Sequence, residues 1–257
     1  MNPKTKILFA ILLLTLVSLA CATLTGTPEV PVQPPTNTPL PPLPTNTPLP
    51  PIPTNPPVQQ PEPTQDSAAP AITGSGDILF EDDFTNPESG WDRYSDDEGF
   101  TDYDNGAYKI GVYTETMFYW ANPYRNFEDV SVEVITTKIS GGDDVQFGIV
   151  CRHQDVNNWY VLVVSADGFA AIRKRYQGSD LEYIAEWVDA PVVNQGNATN
   201  LLRAECIGTR LALYANGILL LEVNDADIPT GDVGLLAGTF AETEVEVLFD
   251  NFVVTSP

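Results

Sequence analysis

Residues 145–176 read VQFGIVCRHQDVNNWYVLVVSADGFAAIRKRY. In the first seven, Val145, Phe147, Ile149 and Cys151 fall on one side of an extended chain, because side chains in a strand alternate with a period of two. The run 159–165 is too short and too rich in β-branched residues for a helix, and it reads as a second strand. Asp167-Gly168 follows, a tight-hairpin signal, since both residue types tolerate positive φ. The segment 169–176 then returns as a third strand. Working outward, the same short-strand pattern recurs at 78–84, 108–113, 130–139, 183–188, 201–207, 210–215, 218–223, 233–237 and 245–254, with a second hairpin signal at Asn216-Gly217. No long stretch carries a helical period. Twelve short strands joined by turns predict an all-β domain, a two-sheet antiparallel sandwich.

That domain occupies residues 76–257. Ahead of it, 17 of the 23 prolines lie between Pro28 and Pro70, in a stretch with almost no apolar period. Such a segment buries too little surface to offset its ordering entropy, so 21–75 reads as a disordered Pro/Thr-rich spacer. The unit TNTPLPP occurs at Thr36 and again at Thr45, and a shortened TNPP begins at Thr54. Proline holds the backbone near polyproline II geometry. About 45 such residues, at ~3.1 Å each, reach on the order of 140 Å if straight. A stalk fits this composition; a ligand for proline-groove domains is the rival reading.

Residues 1–20 have the form of a signal peptide. Lys4 and Lys6 precede the apolar run 7–17, which is short of the ~20 residues a membrane span needs. Ser18-Leu19-Ala20-Cys21 resembles the lipobox of bacterial lipoproteins, with Ser18 in place of the commoner leucine. The resemblance implies cleavage before Cys21, acylation of that cysteine, and an extracytoplasmic protein anchored to the bacterial membrane or envelope by lipid. In an oxidising compartment the two remaining cysteines, Cys151 and Cys206, form an even set. Both lie on apparent core faces, Cys206 with Leu202 and Ala204. A disulfide between them is the favoured reading; two separate buried thiols is the alternative.

The formal charge is −23, and only Glu29, Glu62, Asp66, Lys4 and Lys6 of the charged residues precede the domain. A surface this acidic repels nucleic acid and anionic headgroups and favours cations. Much of it is accounted for by solvated strand faces.

The phrases LFEDDFTNPESGW, DNGAYKI, FGIVCRHQDVNNWYVLVVSADG, LLRAECIGTRLALYANGILL, DVGLLAG and VLFDNFVV, in that order, resemble the concanavalin A-like lectin/glucanase superfamily. Its laminin-G-like and 3-keto-disaccharide hydrolase members are the nearest in pattern. The resemblance implies a jelly roll with adjacent N- and C-terminal strands, and glycan ligands on the concave sheet or its rim. It also implies a structural Ca2+ between the first and last strands, with Asp250 as carboxylate and main-chain oxygens near Asp83 and Gly106. Local hydrogen bonding at a strand end explains the same residues without an ion.

Laminarinase-type members carry E-x-D-x-E or E-x-D-x-x-E on one strand. Here Glu81-Asp82-Asp83 is followed by Thr85 and Asn86 where the second glutamate belongs. Glu242, Glu244 and Glu246 alternate opposite Val245, Val247 and Phe249, as on an ordinary half-buried strand. His153 is the only histidine, so no histidine-based triad or His-rich zinc site can be assembled. No catalytic residue is assigned. Aromatics and arginines that could stack on and read a sugar are Tyr119, Trp120, Arg152, Trp159, Tyr160, Arg173, Tyr176 and Trp187. Of the neighbours Trp159 and Tyr160, only one can point into the core. The expectation is a surface-tethered, non-catalytic module binding glycan or another extracellular polymer. The alternatives are a glycoside-cleaving enzyme and a structural or protein-interaction domain of the envelope.

Overall fold

A computed structural model of the chain describes residues 76–257. The expected signal peptide, Cys21 and the proline-rich spacer lie outside the described residues. Every regular element among those described is a strand. In chain order these are β1 (Ile78–Asp82), β2 (Tyr94–Ser95), β3 (Gly99–Asp104), β4 (Ala107–Val112), β5 (Phe118–Ala121), β6 (Val130–Gly141), β7 (Val145–Asp155) and β8 (Asn158–Ser165). They continue as β9 (Phe169–Arg175), β10 (Glu182–Asp189), β11 (Thr199–Ile207), β12 (Arg210–Ala215), β13 (Ile218–Asn224), β14 (Asp232–Thr239) and β15 (Val245–Thr255).

They form two antiparallel sheets. The nine-stranded sheet runs β13-β12-β11-β6-β15-β4-β3-β2, with β1 also paired to β15. The six-stranded sheet runs β10-β9-β8-β7-β14-β5. First and last strands are thus neighbours, with Asp82 opposite Phe252. The core between the sheets is built by alternation. Phe147, Ile149 and Cys151 of β7, and Tyr160, Leu162 and Val164 of β8, meet Val132 and Val134 of β6 and Val247 and Phe249 of β15. Cys151 and Cys206 are disulfide-bonded, tying β7 of one sheet to β11 of the other, with Cα atoms 6.8 Å apart.

The motif LFEDDFTNPESGW closes one end of this core. Asp82 accepts hydrogen bonds from the Phe84 amide (2.8 Å) and from Trp91 Nε1 (2.9 Å). Phe84 is held at a positive φ of 55°, and its ring packs on Trp91 and Tyr108. The hairpin signals also fold as turns. Asn216 and Gly217 are both left-handed, at φ 51° and 82°, as a two-residue primed turn requires. Between β8 and β9 only Gly168 is left-handed, at φ 95°.

Three strands are additions to the sequence reading: β2, β3 and β5. The shortest have two and four residues, and β3 (GFTDYD) mixes glycine and acids into its alternation.

Candidate functional site

The outer face of the six-stranded sheet, turned away from the core, is also apolar. Val150 of β7, Trp159, Val161 and Val163 of β8, Ala171 of β9 and Leu236 of β14 form a second buried cluster there. Phe118, Trp120, Leu181 and Trp187 pack over it. A solvated sheet face would alternate apolar with polar; here both sides of β8 are covered, which is why NWYVLVVS is almost uniformly apolar.

The cover is aromatic. The Trp120 and Trp159 rings stack with centroids 6.0 Å apart and planes inclined by 20°. Phe118 lies 5.8 Å from Trp159 and 6.0 Å from Trp120. Phe118 and Trp120 sit on the edge strand β5, opposite Gly238 and Leu236 of β14. On the far side of the sheet, Trp187 of β10 meets Phe240 at 5.8 Å and donates from Nε1 to the Tyr183 hydroxyl at 2.9 Å. Arg173 lies with its guanidinium 4.7 Å from the Tyr183 ring centre and donates to Gln146 Oε1 (3.1 Å).

Beside Trp120 opens a cleft of about 550 Å³, with Phe118, Tyr119, Met117 and Tyr94 on its walls and Asp92, Arg93 and Tyr124 at its polar edge. Tyr119 stacks on Tyr94 (5.8 Å, 29°), and its hydroxyl donates to Asp96 Oδ1 at 2.7 Å. Burial, reinforced by that bond to Asp96, holds the Tyr119 phenol well above the usual tyrosine range. Sharing Asp92 and Tyr124, a more polar cleft of about 470 Å³ continues past Asn122, His153, Gln154 and Asp232. Tyr124 donates from its hydroxyl to Asp92. Burial pushes the Asp232 carboxyl up to about 6, although the amides of Arg125 and Val233 donate to it. Burial pushes the His153 imidazole down. Among the described residues its Nε2 has no hydrogen-bond partner, and its ring lies 6.3 Å from Trp120.

Of the eight residues singled out from sequence, Trp120, Trp159, Arg173 and Trp187 share this outer face, and Tyr119 lines the adjoining cleft. Three go elsewhere, which corrects the sequence reading. Tyr160 is the inward member of its pair, fully buried between the sheets. Its hydroxyl donates to Asp225 Oδ1 (2.5 Å) and accepts from the Ile228 amide. Tyr176, just past β9, packs against the inter-sheet core beneath Lys174. Arg152 stands at a β-bulge with φ 52°, where alternation breaks. It is 2 % exposed, donating to the Ile228 carbonyl (3.0 Å) and to Asp129 (3.4 Å). Gly231 is required at that bulge, since a Cβ there would lie 2.4 Å from the Arg152 carbonyl carbon. Phe118, Tyr94, Tyr124, Tyr183 and Phe240 are additions that only the folded chain brings in.

Asp83, Gly106 and Asp250 converge where β1, β4 and β15 meet, near the pairs Asp82–Phe252 and Tyr108–Phe249. A Cβ on Gly106 would lie 3.9 Å from Thr85, the residue whose amide and hydroxyl both donate to Asp83. Burial raises Asp250 above the ordinary carboxylate range, and the Asp83 charge adds to that. The Asp250 carboxylate is an oxygen donor of the type a hard cation takes. Among the described residues no group of three or more acidic, histidine or cysteine side chains is poised for a metal ion.

No family model matches the sequence, and no curated protein is detectably similar to it. Solved structures share the fold. A Bacillus subtilis protein of unknown function with a galectin-like fold superposes with a TM-score of 0.54 at 12% identity, over 70% of this chain and 96% of its own. A laminarinase from Flavobacterium sp. UMI-01 gives 0.50 at 14% identity, over 70% of this chain and all of its own. A mixed-linkage-glucan GH16 protein of Bacteroides ovatus, solved in complex with product, gives 0.50 at 11% identity, over 69% and 100%. The described domain therefore has the two-sheet jelly-roll architecture of the galectin-like and glucanase folds.

Proposed function

We propose that the chain is a lipid-anchored, non-catalytic module that binds neutral glycans at the aromatic outer face of the six-stranded sheet. The observation that carries this reading is Trp120, which is backed by the buried Trp159 ring and lines a cleft of about 550 Å³. Flat rings take up the C–H faces of sugars, and Arg93, Asp92 and the Tyr94 and Tyr124 hydroxyls supply directional partners at the rim. The charge of −23 disfavours uronic or sulfated polymers. The fold likeness to a laminarinase and to a product-bound GH16 protein supports the same ligand class. The leader and Cys21 would supply the membrane anchor, with the proline-rich segment as a spacer.

The non-catalytic part rests on the sheet's own chemistry. A retaining glycosidase needs two carboxylates about 5–5.5 Å apart. The strand positions that floor the outer face are Gln146, Gly148 and Val150 on β7 and Val161 and Val163 on β8. One observation favours the glycoside-cleaving alternative: Asp232, raised to about 6, shares the neighbouring cleft with Asp92. A general acid working near neutral pH needs such a value. Asp250, with main-chain oxygens near Asp83 and Gly106, would hold a structural Ca2+ pinning β15 to β1.

Retention of the full chain on a panel of insoluble neutral polysaccharides tests the reading, with the polymer analysed afterwards for chain cleavage. Retention without cleavage is expected, and Tyr94→Ala, at a residue 54% exposed, is expected to weaken it while the melting temperature holds. Folded protein that is retained on none of them would overturn the glycan reading, and released oligosaccharide would move it to the enzyme.

A further inference from the structure

A second cleft, of about 300 Å³, shares no residue with the one beside Trp120. It lies at one end of the six-stranded sheet, where β7 begins, β8 turns into β9, and β10 and β14 end. It is lined by the aromatics Phe169, Tyr183, Trp187 and Phe240 together with Asp144, Asp167 and Ser165. Among the described residues no lysine or arginine lines it.

The backbone fixes these walls. Phe169 is paired with Asp189 across β9 and β10. The Phe240 amide donates to the Asp144 carbonyl, and the Ala190 amide to the Gly168 carbonyl, at 3.4 and 2.8 Å. The Asp167 carboxylate accepts from the Ser165 hydroxyl. The Trp187 ring meets Phe240 at 85° and Tyr183 at 64°, so the aromatics make a corner instead of a flat platform. Tyr183 already serves as a seat for a cation, the Arg173 guanidinium 4.7 Å from its centre.

We infer that this cleft binds a small organic cation with a quaternary ammonium head, of the kind choline presents. A pyranose ring gains most from one broad ring surface. A trimethylammonium group is rounded, spreads its charge over several methyls, and gains from rings approaching at steep angles. The carboxylates match that charge. The volume is at the small end of ligand sites, which suits a head group better than an oligosaccharide. The cleft takes Tyr183, Trp187 and Phe240 from the outer-face cover but shares no residue with the cleft beside Trp120, so choline binding is read out separately from glycan binding there.

The test is isothermal titration of the full chain with choline and with its uncharged isostere, in which tert-butyl replaces trimethylammonium. Saturable binding of choline is expected, with the isostere roughly tenfold weaker, since cation–π attraction contributes a factor of ~2 at an exposed ring to ~30 at a desolvated one. The double variant Asp144→Asn/Asp167→Asn, at exposed positions, is expected to lose severalfold in choline affinity with its melting temperature unchanged. Phe240→Leu, which keeps an apolar side chain, is expected to lose about as much. Equal affinity for the isostere, an unchanged affinity in the double asparagine variant, or no saturable binding of choline by folded protein would each overturn the inference.

Discussion

Removing the inter-sheet disulfide gives a loss that can be worked from the fold. Cys151 and Cys206 are both fully buried and are separated by 55 residues in sequence. Cross-linking a loop of that length removes about 14 cal/mol/K of entropy from the unfolded chain, or about 4 kcal/mol at room temperature. The perturbation is the double variant Cys151→Ala/Cys206→Ala. Its two lost sulfurs also leave a void between β7 and β11, adding on the order of 1 kcal/mol. With roughly 180 ordered residues, unfolding carries about 0.4 kcal/mol/K, so the melting temperature should fall by ~10 °C or somewhat more. Calorimetry and urea titration of exported protein provide the assay. A smaller urea m-value is expected for the bridged parent than for the variant, because the bridge keeps its unfolded chain more compact. A variant within 1 kcal/mol of the parent would refute the reasoning, as would two free thiols titrated in the denatured parent.

Asp82→Ala removes the acceptor for the Phe84 amide and Trp91 Nε1, both buried hydrogen bonds. A loss of about 2–3 kcal/mol is expected, checked by chemical denaturation, with Trp91 fluorescence shifting to the red. Asp232 is raised from 3.8 to about 6, so the folded state binds the extra proton between those values. Its contribution to stability is complete below about pH 3.8 and is lost as the pH climbs through about 6. Asp232→Asn keeps an acceptor for the Arg125 and Val233 amides and should melt higher than the parent above about pH 7, the gap closing near pH 4; parallel pH profiles would contradict this. Millimolar Ca2+ should raise the melting temperature of the parent and not of Asp250→Asn, with a chelator reversing the gain.

The fold was legible where one face of a strand differs from the other. Val145 to Cys151 and Leu202 to Cys206 announce their inward sides, and the disulfide between β7 and β11 joins those two sides. The direction of Trp159 and Tyr160 was not legible, because β8 is apolar on both sides: Leu162 and Val164 fill the core while Val161 and Val163 floor the outer cluster. Arg152 misled because a bulge reverses the alternation at its position, which no residue type in RHQD signals. The site itself is assembled from β5, β7, β8, β9, β10 and β14, so its members are scattered over more than a hundred residues. Phe118 and Phe240 gain their roles only through pairing of β5 with β14 and the turn that follows it.

The most direct test of the glycan account is an equilibrium titration. The retained polysaccharide's oligosaccharide is added to the full chain and to Trp120→Ala, with each protein shown to be folded by its melt. The account predicts saturable binding by the parent, at least tenfold weaker in the variant, because Trp120 is the ring that joins the Trp159 stack to the open cleft. Equal binding by both proteins would contradict it.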